Sequence, residues 1–249
     1  DWETEGNDRK SLSLPGVQDT LIKKILAANK NTVLVINTGS PISMPWIKSC
    51  PAILQTWFPG QEFGNSLAEI LFGKESPSGK LPTTYPKKLS DTPAYSCYPG
   101  ENLQMDYKEK LLVGYKWYDR KNIQPLFPFG HGLTYSKFKL KKVSVLKKKH
   151  KIEIKVKLKN IGDFLASETV QCYLERKKVK VNTPIRKLVD FKKLKLKHNK
   201  SKKLTLKVCK RDFSEWNVKK SMWEIASGDY VIHVGTSVND ISFTEEIKI

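Results

Sequence analysis

Cysteine is sparse in this sequence: Cys50, Cys97, Cys172 and Cys209 are the four in 249 residues. None forms a CxxC pair, and none stands at metal-ligand spacing with the four histidines. Neither a zinc site nor a disulfide-stapled framework is indicated, and buried free thiols are the expectation. No run of about 18 apolar residues occurs, so no helix is expected to span a bilayer. The chain opens on Asp1 rather than methionine, and no charged segment followed by an apolar stretch precedes the first motif. It therefore reads as a piece or a processed product of a longer protein. The one N-x-S/T pattern, Asn199-Lys200-Ser201, is too short to be specific.

Carboxylates are scarce in the second half. The formal net charge is +20, and it is unevenly held. Residues 1–137 contain 16 Lys/Arg against 13 Asp/Glu, whereas residues 138–249 contain 29 against 12, a net of +17. A basic domain raises nucleic acid or an anionic surface as partner. The arrangement argues for a simpler origin. Ile152, Ile154, Val156 and Leu158 alternate with Glu153, Lys155, Lys157 and Lys159, and the alternation recurs at Leu194 and Leu196 and at Leu204, Leu206 and Val208. Strict alternation gives a strand one buried and one wet face, which makes the lysines the solvated face. No aromatic–basic interleaving, zinc spacing or recognition-helix pattern supports a specific nucleic-acid reader.

Along the chain, Val17 to Asn29 places Leu21, Ile22, Ile25 and Leu26 at helical spacing. Thr32 to Ile36 is a continuous apolar and β-branched run, as in a strand buried on both faces. Ala52 to Trp57 reads as a second short strand, and Asn65 to Phe72 as a helix through Leu67, Ile70 and Leu71. This rhythm predicts a mainly parallel α/β layer. Residues 74–110 read as a long irregular crossing, Leu111 to Tyr118 as a returning strand, and Pro125 to Tyr135 as a structured connector. From Phe138 onward, short alternating strands separated by turn signals predict an all-β sandwich. The fold class expected is thus a partial α/β sandwich domain, residues 1–137, followed by a β-sandwich, residues 138–249.

The chemistry-bearing motif is Trp2-Glu3-Thr4-Glu5-Gly6-Asn7-Asp8-Arg9. Three carboxylates, a glycine and an arginine suit a loop that aims one acid into a site. Glycosidic hydrolysis needs two carboxyl groups flanking the scissile bond. Its proton donor must stay protonated near neutral pH, through apolar surroundings or a neighbouring negative charge. Taken alone, such an acidic cluster is more often a surface loop.

The motifs that follow stand in one order: Glu5-Gly6-Asn7-Asp8-Arg9; Gly39-Ser40-Pro41 with Met44-Pro45-Trp46; Trp57 with Pro59-Gly60-Gln61-Glu62. Pro77-Ser78-Gly79-Lys80-Leu81-Pro82, Val113-Gly114-Tyr115 with Tyr118-Asp119, and Phe127-Pro128-Phe129-Gly130-His131-Gly132 continue it. Lys159 to Asp163, Lys187 to Lys192 and Gly228-Asp229-Tyr230 carry it through the sandwich. In this collinear set the sequence resembles glycoside hydrolase family 3, in particular its β-glucosidases. The resemblance implies a missing N-terminal barrel bearing a nucleophilic Asp, and makes the sandwich fibronectin type III-like. It also implies that Glu5 is the acid/base of a retaining mechanism on terminal β-D-glucosyl residues. Glu3 is the runner-up, against a solvated or supporting role. The chain alone is then expected to be inactive, with a β-glucoside or oligosaccharide as substrate of the whole and no metal or organic cofactor.

By the same resemblance, Glu109 matches an acidic position near the barrel interface, against a plain surface charge. Asp8 and Arg9 are expected to organise the loop by an ion pair and backbone hydrogen bonds, and Glu62 to be mainly structural. Leu112 and Lys116 depart from the family's usual aromatic and arginine; a lysine cannot reproduce a bidentate arginine contact. The alternatives are a non-catalytic module binding carbohydrate or an anionic surface, and a β-xylosidase or N-acetylhexosaminidase of the same family.

Overall fold

The computed structural model describes residues 6, 9–149, 151–179 and 181–249. Helix α1, Gln18–Ala28, buries Ile22 and Leu26, one turn apart on a single face. Asn29 ends it in extended conformation, its amide still donating to Ile25 O at 2.8 Å. Strand β1, Val33–Ile36, then runs parallel to β2, Ala52–Gln55, in a register from Val33↔Ala52 to Ile36↔Gln55. The connection between them is not slack. Ile42, Met44 and Trp46 are buried in it, and the Trp46 indole donates to Asp19 Oδ1 at 2.7 Å, fastening the loop to α1. Helix α2, Phe63–Leu71, follows β2.

The expected strand over Leu111–Tyr118 is a helix instead: α3, Tyr115–Lys121. Gly114, at φ 57°, turns the chain, and Tyr115 and Tyr118 then fall three residues apart on one face. Three apolar residues before a glycine, Leu111 to Val113, suggested β-structure; the period that matters begins after it. Among the described residues the first unit thus has a two-stranded parallel pair and three α-helices, and strand dominates the chain as a whole.

Residues 74–110 hold no strand or α-helix, only one 3-10 turn. They are pinned by the 125–135 connector: Leu81 N donates to His131 O at 2.7 Å, Gly130 N to Leu81 O at 2.8 Å, and Tyr85 N to Phe127 O at 2.9 Å. His131 lies stacked on Phe127. Burial, with the Lys80 charge adding to it, holds the His131 pKa below its ordinary value. The folded state therefore keeps this imidazole neutral where the unfolded chain would take a proton. Its contribution is complete above about pH 6.5 and is lost as pH falls toward the lowered folded value. We expect the melting temperature to drop more steeply below pH 6.5 in the wild type than in His131→Phe; equal slopes in thermal melts would assign the pH dependence to other groups.

The second unit is a sandwich. Strands β3 (Phe138–Lys147), β4 (Lys151–Asn160) and β7 (Ser201–Cys209) form a three-stranded sheet ordered β3-β4-β7. Strands β5 (Ala166–Arg176), β6 (Arg186–Leu196), β10 (Asp229–Gly235) and β11 (Ile241–Lys248) form the facing one, ordered β11-β10-β5-β6. A hairpin of β8 (Ser214–Asn217) and β9 (Met222–Ile225) lies at one end. Ile152, Ile154, Val156 and Leu158 point inward against Val170, Cys172, Leu174 and Ile232, so the alternation read in the sequence is the core face. Lys155 and Lys157 are exposed. Glu153 is the exception on the outer face, its carboxylate bridged by Lys148 at 2.7 Å and Lys151 at 2.9 Å. Hydrogen bonds from these two lysines hold its pKa down at about 2.

All four cysteines are free, but only Cys97 and Cys172 are buried; Cys50 is half-buried and Cys209 exposed. The last follows Val208 at the end of β7 and falls on the wet face of the alternation through Leu204, Leu206 and Val208.

The two units share a polar and aromatic junction. Arg186 on β6 makes a bidentate pair with Asp119 of α3, at 2.6 and 2.7 Å. The Leu188 amide donates to the Tyr115 hydroxyl at 2.8 Å, while the Tyr115 ring stacks on Phe129 and meets Tyr173 edge-on. Lys80 bonds Glu168 at 2.7 Å and Gly132 O at 2.8 Å. Gln171 Nε2 donates to Gly130 O and Thr236 O. Gly130 is obligatory here: its φ is +78°, and a Cβ would lie 2.3 Å from Gln171 Oε1. Strand β5, which supplies Glu168, Gln171 and Tyr173, is consequently buried on both faces.

Candidate functional site

Glu5, with Glu3, Trp2 and Asp8, lies outside the described residues. What is described is how the segment beyond it is held. Gly6 has φ +86°, a conformation that favours glycine. The Arg9 guanidinium donates to Pro41 O at 2.8 Å, and Ser43 N donates to Leu12 O at 2.7 Å. These bonds run the segment alongside the loop that leaves β1. Arg9 therefore does organise backbone, as its position in the motif suggested; the ion pair expected with Asp8 lies outside the described residues.

That loop emerges at the carboxyl ends of the two parallel strands, where open α/β sheets place their ligands. Around it, Gln55 Nε2 donates to Thr38 O at 3.1 Å, and Thr56 Oγ1 donates to Ile36 O at 2.8 Å. Gln55 Oε1 is buried and accepts no hydrogen bond among the described residues. Trp57, two residues after β2, sits at φ 56°. A tryptophan in the left-handed region is strained, and such strain clusters at functional sites. Its ring meets Tyr85 edge-on at 6.2 Å, and Tyr85 in turn meets Phe127. The arrangement gives the strand ends an aromatic-backed rim. Trp57 itself is half-buried against the core of the first unit, whereas Phe58 and Tyr98 are exposed.

Glu109 is half-buried, with the Cys97 thiol 4.0 Å from its Oε2, and its carbonyl accepts from Leu112 N. It lies in a stretch whose Tyr95, Tyr98, Leu103, Tyr107, Leu111 and Val113 are all exposed. Sequence reading did not anticipate so many exposed apolar side chains, because these residues follow no helical or strand period. Glu62 precedes α2 and accepts from Asn65 Nδ2 at 2.7 Å, a local bond in keeping with a structural role. Leu112 is buried. Lys116 is half-buried and near enough to Lys187 of the sandwich to help lower its pKa, after burial, so its charge acts at the junction between the units. Among the described residues no group of three or more His, Cys, Asp or Glu is placed to hold a metal ion.

The family model described as the glycosyl hydrolase family 3 C-terminal domain matches residues 1–135. The chain belongs to glycoside hydrolase family 3. A second model, the fibronectin type III-like domain, matches residues 168–238, within the sandwich of this family 3 chain. Thermostable beta-glucosidase B of Acetivibrio thermocellus is 41% identical over the whole chain, which covers 34% of that protein. Beta-glucosidase BoGH3A of Bacteroides ovatus is 38% identical over 97% of the chain and 34% of its own length. The crystal structure of the Kluyveromyces marxianus beta-glucosidase in complex with glucose superposes with a TM-score of 0.95 at 37% identity, over 100% of this chain and 30% of that one. The family 3 chain spans about a third of the length of the curated relatives it matches, and corresponds to their C-terminal part.

Proposed function

We propose that this chain is the acid/base-bearing portion of a retaining β-glucosidase that removes terminal non-reducing β-D-glucosyl residues. The observation that carries the reading is the unbroken likeness to β-glucosidases over the full chain, Glu5 segment included. The tether from Arg9 to Pro41, which holds that segment at the carboxyl ends of β1 and β2, supports it. On this reading residues 1–137 and 138–249 are the two units, and an N-terminal barrel supplies the attacking Asp. Glu5 protonates the glycosidic oxygen as the Asp attacks the anomeric carbon, forming a glycosyl-enzyme. Glu5, now a carboxylate, then takes a proton from water, whose oxygen attacks the same carbon and releases glucose with retention. Two carboxyl groups about 5–5.5 Å apart are required for this course.

The test is the first-formed product of the intact protein on an aryl β-glucoside, followed by proton NMR. β-Glucose should appear first and mutarotate afterwards. α-Glucose as the initial product would overturn the retaining assignment. The chain alone should hydrolyse none of the substrate.

A further inference from the structure

The sandwich presents two outer faces, and only one of them is used. The outer face of the β11-β10-β5-β6 sheet meets the first unit through Gln171 and Tyr173. The outer face of β3-β4-β7 is therefore turned away from that unit. The cross-strand register sets out what it carries. Lys141, Lys157 and Lys203 lie directly opposite one another across the three strands, and Lys139 lies opposite Lys159 in the next row. Lys155 extends the column along β4. Neighbouring strands are about 4.8 Å apart, and alternate residues along a strand about 6.8 Å. Six ammonium groups are thus borne on one grid of cross-strand positions.

None of the six makes an ion pair or side-chain hydrogen bond among the described residues, while Lys142, Lys148 and Lys151 nearby all do. The carboxylate on this face, Glu153, is already bridged by two lysines outside the grid. Like charges directly opposite in a sheet destabilise it. A polyanion laid across the grid would relieve that repulsion and release counter-ions.

We infer that this face is a docking surface for an acidic polysaccharide, a polymer bearing carboxylates on successive sugar rings. Its chemistry disfavours the other polyanions. The grid has no arginine to fork a phosphate and no aromatic platform on which a base could stack, and it has neither groove nor projecting helix to enter a duplex. A row of point charges at near-regular spacing suits an extended chain that can engage several at once. The choice of a sugar polymer draws on the family's glycoside chemistry; the docking itself needs no catalytic residue.

The experiment measures retention of the intact protein on immobilised polygalacturonate across a salt gradient, without substrate. Lys141, Lys155, Lys157 and Lys203, all exposed, are changed together to threonine, which suits a strand. A control removes the same charge from the first unit by Lys23→Gln, Lys24→Gln, Lys87→Gln and Lys88→Gln, also exposed. Melting temperature and hydrolysis of a soluble substrate confirm that both variants fold. The face variant should bind at least about 10-fold more weakly, and the control within about 2-fold of wild type. Equal weakening of both variants would reduce the effect to bulk charge and overturn the proposal. So would tighter binding of wild type to acidic phospholipid vesicles or duplex DNA than to polygalacturonate.

Discussion

Glu5→Ala in the intact protein should lower kcat/KM for an alkyl glucoside or cellobiose by about 10²–10⁴-fold, and far less for a dinitrophenyl glucoside. The difference follows from what the acid does. An alkoxide cannot leave without a proton, whereas dinitrophenolate is stable enough to depart unassisted. kcat/KM reports the steps through glycosyl transfer, so it isolates the protonation. Turnover of the activated substrate should nevertheless slow, because Glu5 must also act as base toward water in the second step. Added azide, a nucleophile that needs no base, should restore that turnover and yield the β-glucosyl azide. Glu3→Ala should show a smaller loss with little dependence on the leaving group. Equal losses for poor and activated substrates in Glu5→Ala would remove the acid/base assignment.

The largest effect on stability is expected at the junction. Asp119 and Arg186 have side chains only 12% and 16% exposed and are joined by two short hydrogen bonds. Asp119→Ala leaves the guanidinium in place without its counter-charge. Breaking a buried pair on one side costs about 3–5 kcal/mol. For a chain of this size that corresponds to a fall of roughly 6–20 °C in melting temperature. Replacing both partners, Asp119→Leu with Arg186→Met, should recover much of the loss, because an apolar pair of similar volume leaves no charge unsatisfied. If the double variant melts no higher than the single one, the junction depends on the direction of this hydrogen-bonded fork rather than on charge balance.

Much of this architecture was legible in the residues, for reasons that can be named. The alternation from Ile152 to Leu158 is a direct imprint of the pleat, and α1 and α2 fall within two residues of their periodic stretches. Residues 111–118 misled because a run of apolar residues before a glycine has no period of its own, and the helix begins only once Gly114 has turned the chain. The junction could not be foreseen. Asp119, Lys80 and Glu168 each look like ordinary surface charges along the sequence, and only the approach of β5 and β6 to α3 and the connector pairs them. The same holds for the rim at the strand ends: nothing local marks Trp57 as left-handed or Arg9 as a partner of Pro41. The acid/base position came from the order of motifs, not from the chemistry of the segment itself.

Strand β5 bears on how freely the second unit could be exchanged. A fibronectin-like module joined only by a linker can be swapped for another, since its outward residues answer to water alone. Here the outward residues of one strand must fit a glycine carbonyl and a tyrosine that belong to the other unit. A foreign module grafted after the connector would have to bring that same side-chain lettering on its third strand, or leave the Gly130 carbonyl without the amide that Gln171 supplies.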